Sequence, residues 1–239
     1  MDLTEKTLNE NRHPWELSRA SQVFNIIKKY RLDSAADIGA GDRFFISKLR
    51  PSLSGAAYAV DAAYAKNLED VDGVRCLNDI FGLPNLDGRC GLALMDVLEH
   101  VEDDAAFLSA VIEKIPAGGL VFITVPAFQF LFSEHDEFLK HYRRYRKKEL
   151  LALIKSQNLR VEECRYFYAS LFFARLLALP HKKGKKKQTG AGEWRFGEKH
   201  LATRAVYAAL NLDFFIGGIF AKLGVTLPGL SLLAVCRKQ

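Results

Sequence analysis

The sequence predicts an α/β fold: a seven-stranded, mostly parallel sheet with helices on both faces. Three observations carry this. Short apolar runs bounded by Gly, Pro, Asn or Asp alternate with stretches of helical period. A Gly-x-Gly turn, Gly39-Ala40-Gly41, follows the first apolar run. An acid, Asp61, closes the second run 20 residues after Gly41. The chain of 239 residues is 49% hydrophobic, enough to bury one sizeable core, which excludes a disordered or fibrous protein.

The elements follow in order. Residues 14–30 begin with Pro and place Ala20, Val23, Phe24, Ile27 and Tyr30 at helical spacing. AADIG (35–39) reads as a buried strand, followed by a short helix over about 43–50 and a second strand, GAAYAV (55–60). VRCLN (74–78) and CGLALM (90–95) are strands three and four. Residues 102–114 open on three acids and close on Lys114, which suits a helix dipole. LVFITV (120–125) is strand five, stopped by Pro126. A helix over 147–157, a strand over 159–168 and a last strand over 229–237 complete the pattern. Between strands six and seven lie about 60 residues where a few would suffice. The expected division is therefore residues 1–168 with 229–239 as the main domain and 169–228 as a helical insertion.

Charge is concentrated in that insertion. The chain carries a net +6, and residues 175–204 hold nine basic residues, including the tract HKKGKKK (181–187), against Glu193 and Glu198. Apolar sequence flanks the tract. A basic cluster between apolar helices is the composition of an interfacial membrane anchor. The nearly neutral remainder argues against a nucleic-acid partner. Cys76, Cys90, Cys164 and Cys236 are too far apart in sequence to spell a zinc ribbon or redox pair, and reduced thiols in a cytoplasmic protein are expected. The opening residues lack the apolar segment of a signal peptide.

The glycine turn and Asp61 point to a nucleoside site. A dinucleotide fingerprint needs glycine where this chain has Phe44, and Asp42 would repel a pyrophosphate. A ligand with a cation and no phosphate fits better, and S-adenosylmethionine has a sulfonium, an ammonium and no phosphate.

At this point the chain resembles class I S-adenosylmethionine-dependent methyltransferases. The matching pieces are DIGAGD (37–42), AVDAAY (59–64), LNDIFGLP (77–84), CGLALMDVLEHVEDD (90–104) and PAGGLVFITVPA (116–127). They cover a little over half the chain. VPAFQFLFSEHDEFLKHYRRY (125–145) is similar to a bacterial subgroup with a Ser-x-His-Asp…His-Tyr-Arg-Arg-Tyr loop after strand five, itself similar to enzymes of lipid- or glycan-type substrates. The resemblance implies a Rossmann-like fold. It implies that Asp37, Gly39 and Gly41 line the methionine moiety, Asp61 takes the ribose hydroxyls, and Ala62, Asn78, Asp79 and Ile80 lie along the adenine. Asp96 then faces the mouth of the site. Many members have a third glycine where this chain has Asp42, although the turn tolerates Asp.

The expected chemistry is methyl transfer to an oxygen of a small or lipid-like amphipathic acceptor. His135 and His141 are the leading base candidates and His100 the third. Arg143, Arg144 and Tyr145 are candidates to grip the acceptor. Asp96, Glu99 and His100 offer metal-type ligands at i, i+3 and i+4, but acids opening a helix need no metal, so none is expected. The alternatives are a non-catalytic S-adenosylmethionine-binding module docked on a membrane or protein partner, and a nicotinamide oxidoreductase, against which Phe44 and Asp42 speak. The expected location is cytoplasmic, peripheral to the inner membrane face.

Overall fold

The computed structural model describes residues 11–65, 68–178 and 194–239; the Lys-rich tract 181–187 lies outside them. Helix α1 (Pro14–Lys28) starts at a proline, which needs no amide partner there, and His13 accepts the Trp15 N–H at 3.2 Å. Strand β1 (Ser34–Ile38) ends where Gly39 takes φ +70°. Helix α2 (Phe44–Leu49) begins after Arg43, which adopts φ 66° as the left-handed residue of the turn. Strand β2 (Ala57–Val60) starts later than the pattern suggests because Gly55 donates its N–H to Asp33 O at 2.7 Å, in a turn.

Strands β3 (Val74–Leu77) and β4 (Cys90–Met95) precede α3 (Asp104–Ile112), which Asp103 caps by accepting the Ala106 N–H at 2.9 Å. Strand β5 (Leu120–Pro126) keeps its proline as the final residue. A five-residue helix, α4 (Glu134–Phe138), occupies what the sequence reads as loop. Helix α5 (Lys147–Ser156), strand β6 (Leu159–Phe167), helices α6 (Ala169–Ala178) and α7 (Leu201–Lys222) and strand β7 (Ser231–Lys238) complete the chain.

The strand order is β3-β2-β1-β4-β5-β7-β6, the expected seven-stranded Rossmann-like sheet. The first five strands are mutually parallel; β7 is antiparallel to both its neighbours. Two cores cover the two faces. One packs Leu108, Val111 and Ile154 on the sheet, and the other packs Val23, Ile27, Phe45, Ile46 and Phe214. Cys76, Cys90, Cys164 and Cys236 are unpaired, with Cys90 and Cys236 buried.

Helix α7 lies against α1, and its polar residues explain themselves. Asn211 Oδ1 accepts from Ser18 Oγ at 2.8 Å and Gln22 Nε2 at 2.7 Å. Asp213 caps α6 by accepting the Ala169 and Ser170 N–H groups at 3.1 and 2.7 Å. Leu210 and Phe214 are buried on the same side. The opposite side presents Leu212, Phe215, Ile216, Ile219 and Leu223 to solvent, beside Phe173 and Leu177 of α6; Phe215 is 65% exposed and Leu223 72%. Among the described residues α7 is the one helix long and apolar enough to cross a membrane.

Candidate active site

The parallel register aligns the carboxyl ends of β1, β2 and β4. Ile38 pairs with Val60 and with Leu94. The loops after these strands therefore meet on one edge, where open α/β sheets bind ligands.

The glycine turn is built as its sequence requires. Gly39 has φ +70° and Gly41 φ +51°. A Cβ on Gly39 would stand 2.6 Å from Val97 Cγ2, so packing on the loop after β4 also demands glycine. Asp61 ties the turn to β2: its Oδ2 accepts the Gly41 N–H at 2.8 Å and its Oδ1 the Ala63 N–H at 2.9 Å. Tyr64 donates its hydroxyl to Gly41 O at 2.7 Å. Two bonds leave about half of the carboxylate's lone pairs open to further donors. Ala62 is exposed next to Asp61.

Asp37 is buried beneath the turn, and desolvation lifts it to about 7 against the pull of Arg19. Because the folded value exceeds the unfolded one of about 4, this group stabilises the fold below about pH 4, and the benefit is lost as pH rises through about 7. Asp37→Asn is therefore expected to raise the melting temperature of the ligand-free protein by several degrees at pH 8 and to converge with wild type near pH 4. Equal melting at both pH values would contradict this origin.

Asn78 and Ile80 are half-buried at the end of β3, while Asp79 is exposed and its Oδ1 accepts the Gly82 N–H at 2.8 Å, capping a turn. Asp42 pairs with Arg12, whose guanidinium also lies 4.0 Å over the Phe44 ring. Asp96, at φ 57°, accepts from Thr124 Oγ1 at 2.9 Å and pairs with Arg19, which stacks 4.5 Å over Trp15. Arg12 and Arg19 thus bring α1 across the rim of the site. The sequence reading missed both. The available signal was the number of acids at the strand ends, which requires cations from elsewhere in the chain.

The loop after β5 departs from its expected role. Asp136 is fully buried and gathers donors from Ser133, His141 and Arg144. Oδ1 accepts from Arg144 Nε at 2.7 Å and bonds His141 Nδ1 at 3.0 Å. Oδ2 accepts from the Ser133 N–H, the Ser133 hydroxyl and a second Arg144 nitrogen at 2.9, 3.1 and 3.0 Å. Burial opposes the charge, but the His141 and Arg144 bonds hold the carboxyl well below the usual range. Arg144 is therefore a buried structural cation rather than an acceptor grip. Tyr145 is buried as well, its hydroxyl donating to Asp104 Oδ2 at 2.7 Å. Arg143 pairs with Asp104 at 3.2 Å and bonds the Glu102 carbonyl, on the rim. Both arginines and Tyr145 find partners within the protein because the loop folds back along β5, bridged at Ala127 and Tyr145.

The three candidate bases separate. Burial lowers His135 to about 4, leaving it neutral and weakly basic. His100 and His141 meet edge to face with ring centroids 4.5 Å apart. Beside them Glu99 is wholly buried, and desolvation lifts it to about 8. Residues 98–100 form a single turn of 3-10 helix rather than the start of α3, so the acids do not act together at one helix end. An aromatic group adjoins this loop: Phe128 stacks on Tyr166 at 4.8 Å and touches Phe130 and Phe172, with Phe130 53% exposed.

No family model matches the chain, and no curated protein matches it. Solved structures share its fold. An S-adenosylmethionine-dependent methyltransferase from Archaeoglobus fulgidus is similar with a TM-score of 0.54 at 14% identity over 92% of each chain. The Haloferax volcanii protein solved with the Trm112 methyltransferase activator gives 0.50 at 16% identity, over 86% of this chain and 81% of that one. The 4+2 cyclase SpnF gives 0.53 at 12% identity, over 91% and 80%. The architecture is thus the Rossmann-like fold of methyltransferases. It also carries a cyclase, so the fold by itself does not name the reaction.

Proposed function

We propose that the chain transfers a methyl group from S-adenosylmethionine to an oxygen of a small or lipid-like amphipathic acceptor. The observation that carries this reading is the join of the glycine turn to Asp61. One carboxylate holds the Gly41 N–H and keeps lone pairs for two ribose hydroxyls. Asp42 and Asp96 pair with Arg12 and Arg19 and Asp37 is buried beneath the turn, so Asp61 is the acid that favours a ribose over a pyrophosphate here. When bound, S-adenosylmethionine supplies a methyl already activated on a cationic sulfur. The protein's part is positioning: Asp61 orients the ribose, Asp37 and the glycine turn receive the methionine end, and Asn78, Asp79 and Ile80 border the adenine. The aromatic group around Phe128 offers an apolar wall for an acceptor. His100 and His141 are better placed than His135 to receive an acceptor's proton.

Helices α6 and α7, from the 169–228 insertion, complete the reading as a partly apolar cover resting peripherally on the inner face of an anionic membrane in a cytoplasmic enzyme. The exposed apolar side of α6 and α7 supports this, since the opposite side of α7 turns Leu210 and Phe214 inward and bonds Ser18 and Gln22 of α1 through Asn211. The same face also fits the second reading, a cofactor-binding module without turnover docked on a membrane or protein partner.

A labelled-methyl assay separates these readings. The protein is incubated with labelled S-adenosylmethionine and cell extract, with and without anionic vesicles, and the phases are partitioned. Label in the organic phase, absent without protein, is the expected result. Label only in the aqueous phase removes the lipid-like acceptor. Absence of label despite cofactor binding favours the non-catalytic module. Protein that stays in the supernatant beside anionic vesicles at low salt removes the membrane contact.

A further inference from the structure

Where β4 ends, the 3-10 turn Leu98–His100 sends Glu99 into the protein and sets His100 beside His141 from the loop after β5. We infer that Glu99, His100 and His141 bind a divalent transition-metal ion. One ligand atom from each lies within 4.8 Å of the others. Two imidazoles and one carboxylate suit zinc, manganese or ferrous iron; magnesium and calcium prefer all-oxygen shells. Bonds of about 2.0–2.2 Å require ligand atoms closer than this, so the side chains close by about an ångström around the ion.

Three observations point to a cation. Glu99 is wholly buried, and neither carboxylate oxygen has a hydrogen-bond partner among the described residues. The cations whose fields reach it, Arg19 and Arg144, are bound to Asp96 and Asp136. A buried carboxylate without a donor is costly, and a metal ion removes that cost. Second, Asp136 Oδ1 lies 3.0 Å from His141 Nδ1, which leaves Nε2 as the ring nitrogen not engaged by that carboxylate. A carboxylate behind a histidine is the arrangement that orients metal ligands. Third, the two ligand-bearing segments are laced together: the Tyr142 N–H donates to Glu99 O at 2.7 Å.

The ligand set differs from the Asp96, Glu99, His100 spacing visible in the sequence. Asp96 is committed to Thr124 and Arg19, and His141 takes its place. Three protein ligands leave a coordination position open. An acceptor hydroxyl bound there loses its proton more readily, and the two histidines then act as ligands rather than bases. This role rests on the methyl-transfer reading; the site itself does not.

The test is titration of EDTA-treated protein with Co2+, followed by visible absorption, and with Zn2+ by calorimetry. The expected result is one saturable site with a cobalt ligand-field band. Glu99→Gln and His141→Ala should each weaken binding by roughly 100-fold or more, while His200→Gln, at the start of α7, binds as wild type. Absence of a one-to-one site, or unchanged affinity in Glu99→Gln, overturns the inference. Glu99→Gln conserves volume and removes the anionic ligand, so it decides the matter if His141→Ala does not fold. S-adenosylhomocysteine is titrated separately. Metal binding without it keeps the site and removes the acceptor role; nucleoside binding without metal removes the site and keeps methyl transfer.

Discussion

Asp136→Ala is expected to cost about 3–5 kcal/mol of stability, the range for leaving one member of a buried ion pair alone. The carboxylate is fully buried and holds two of the three Arg144 guanidinium nitrogens, His141 and the Ser133 cap of α4. Its removal strands a buried guanidinium whose other contact is a long 3.4 Å bond to Ala127 O. Asp136→Ala with Arg144→Met should recover much of the loss, because the double variant buries no uncompensated charge. Urea unfolding of the two single variants and the double gives the coupling directly. A loss under 1 kcal/mol in Asp136→Ala, or strictly additive single variants, would show that the cluster is not the keystone of the loop.

Asp61→Ala is expected to weaken S-adenosylhomocysteine binding by about 3 kcal/mol, roughly 100-fold, while leaving the fold intact. Hydrogen bonds to a charged group contribute about 1.5–3 kcal/mol each, and two ribose hydroxyls are at stake. The variant also frees the Gly41 and Ala63 N–H groups, loosening the turn against which the methionine end rests. Asp61→Asn retains one carbonyl oxygen and should fall between the two. Calorimetric titration reads these differences. One-to-one binding to wild type with no change in Asp61→Ala would remove Asp61 from the site; no binding to well-folded wild type would remove the nucleoside reading altogether.

The sheet was legible because buried strands are apolar runs closed by residues that cannot continue them. Cys90–Met95 and Leu120–Pro126 match their sequence spans within a residue. The turn at Gly39 and Gly41 was legible because its φ values require glycine. Less was legible where long-range partners decide. Helical spacing reveals α1 but not that Arg12 and Arg19 reach the rim. The His-Tyr-Arg-Arg-Tyr run reads as a grip on the acceptor, yet Arg144 and Tyr145 turn inward because Asp136 and Asp104 wait there. Glu99 reads as one more acid near a helix start; its burial without a donor is a property of three-dimensional surroundings.

The place of β7 in the sheet has a consequence for biosynthesis. Strands β5 and β6 have no direct pairing; each is joined to the sheet partner between them by residues 231–238. During translation the chain through β6 therefore leaves one edge of β5 and the whole of β6 without a strand partner, and the finished sheet cannot exist until those eight residues have left the ribosome. Ribosome-bound chains halted before residue 231 are in the state most exposed to edge-to-edge association.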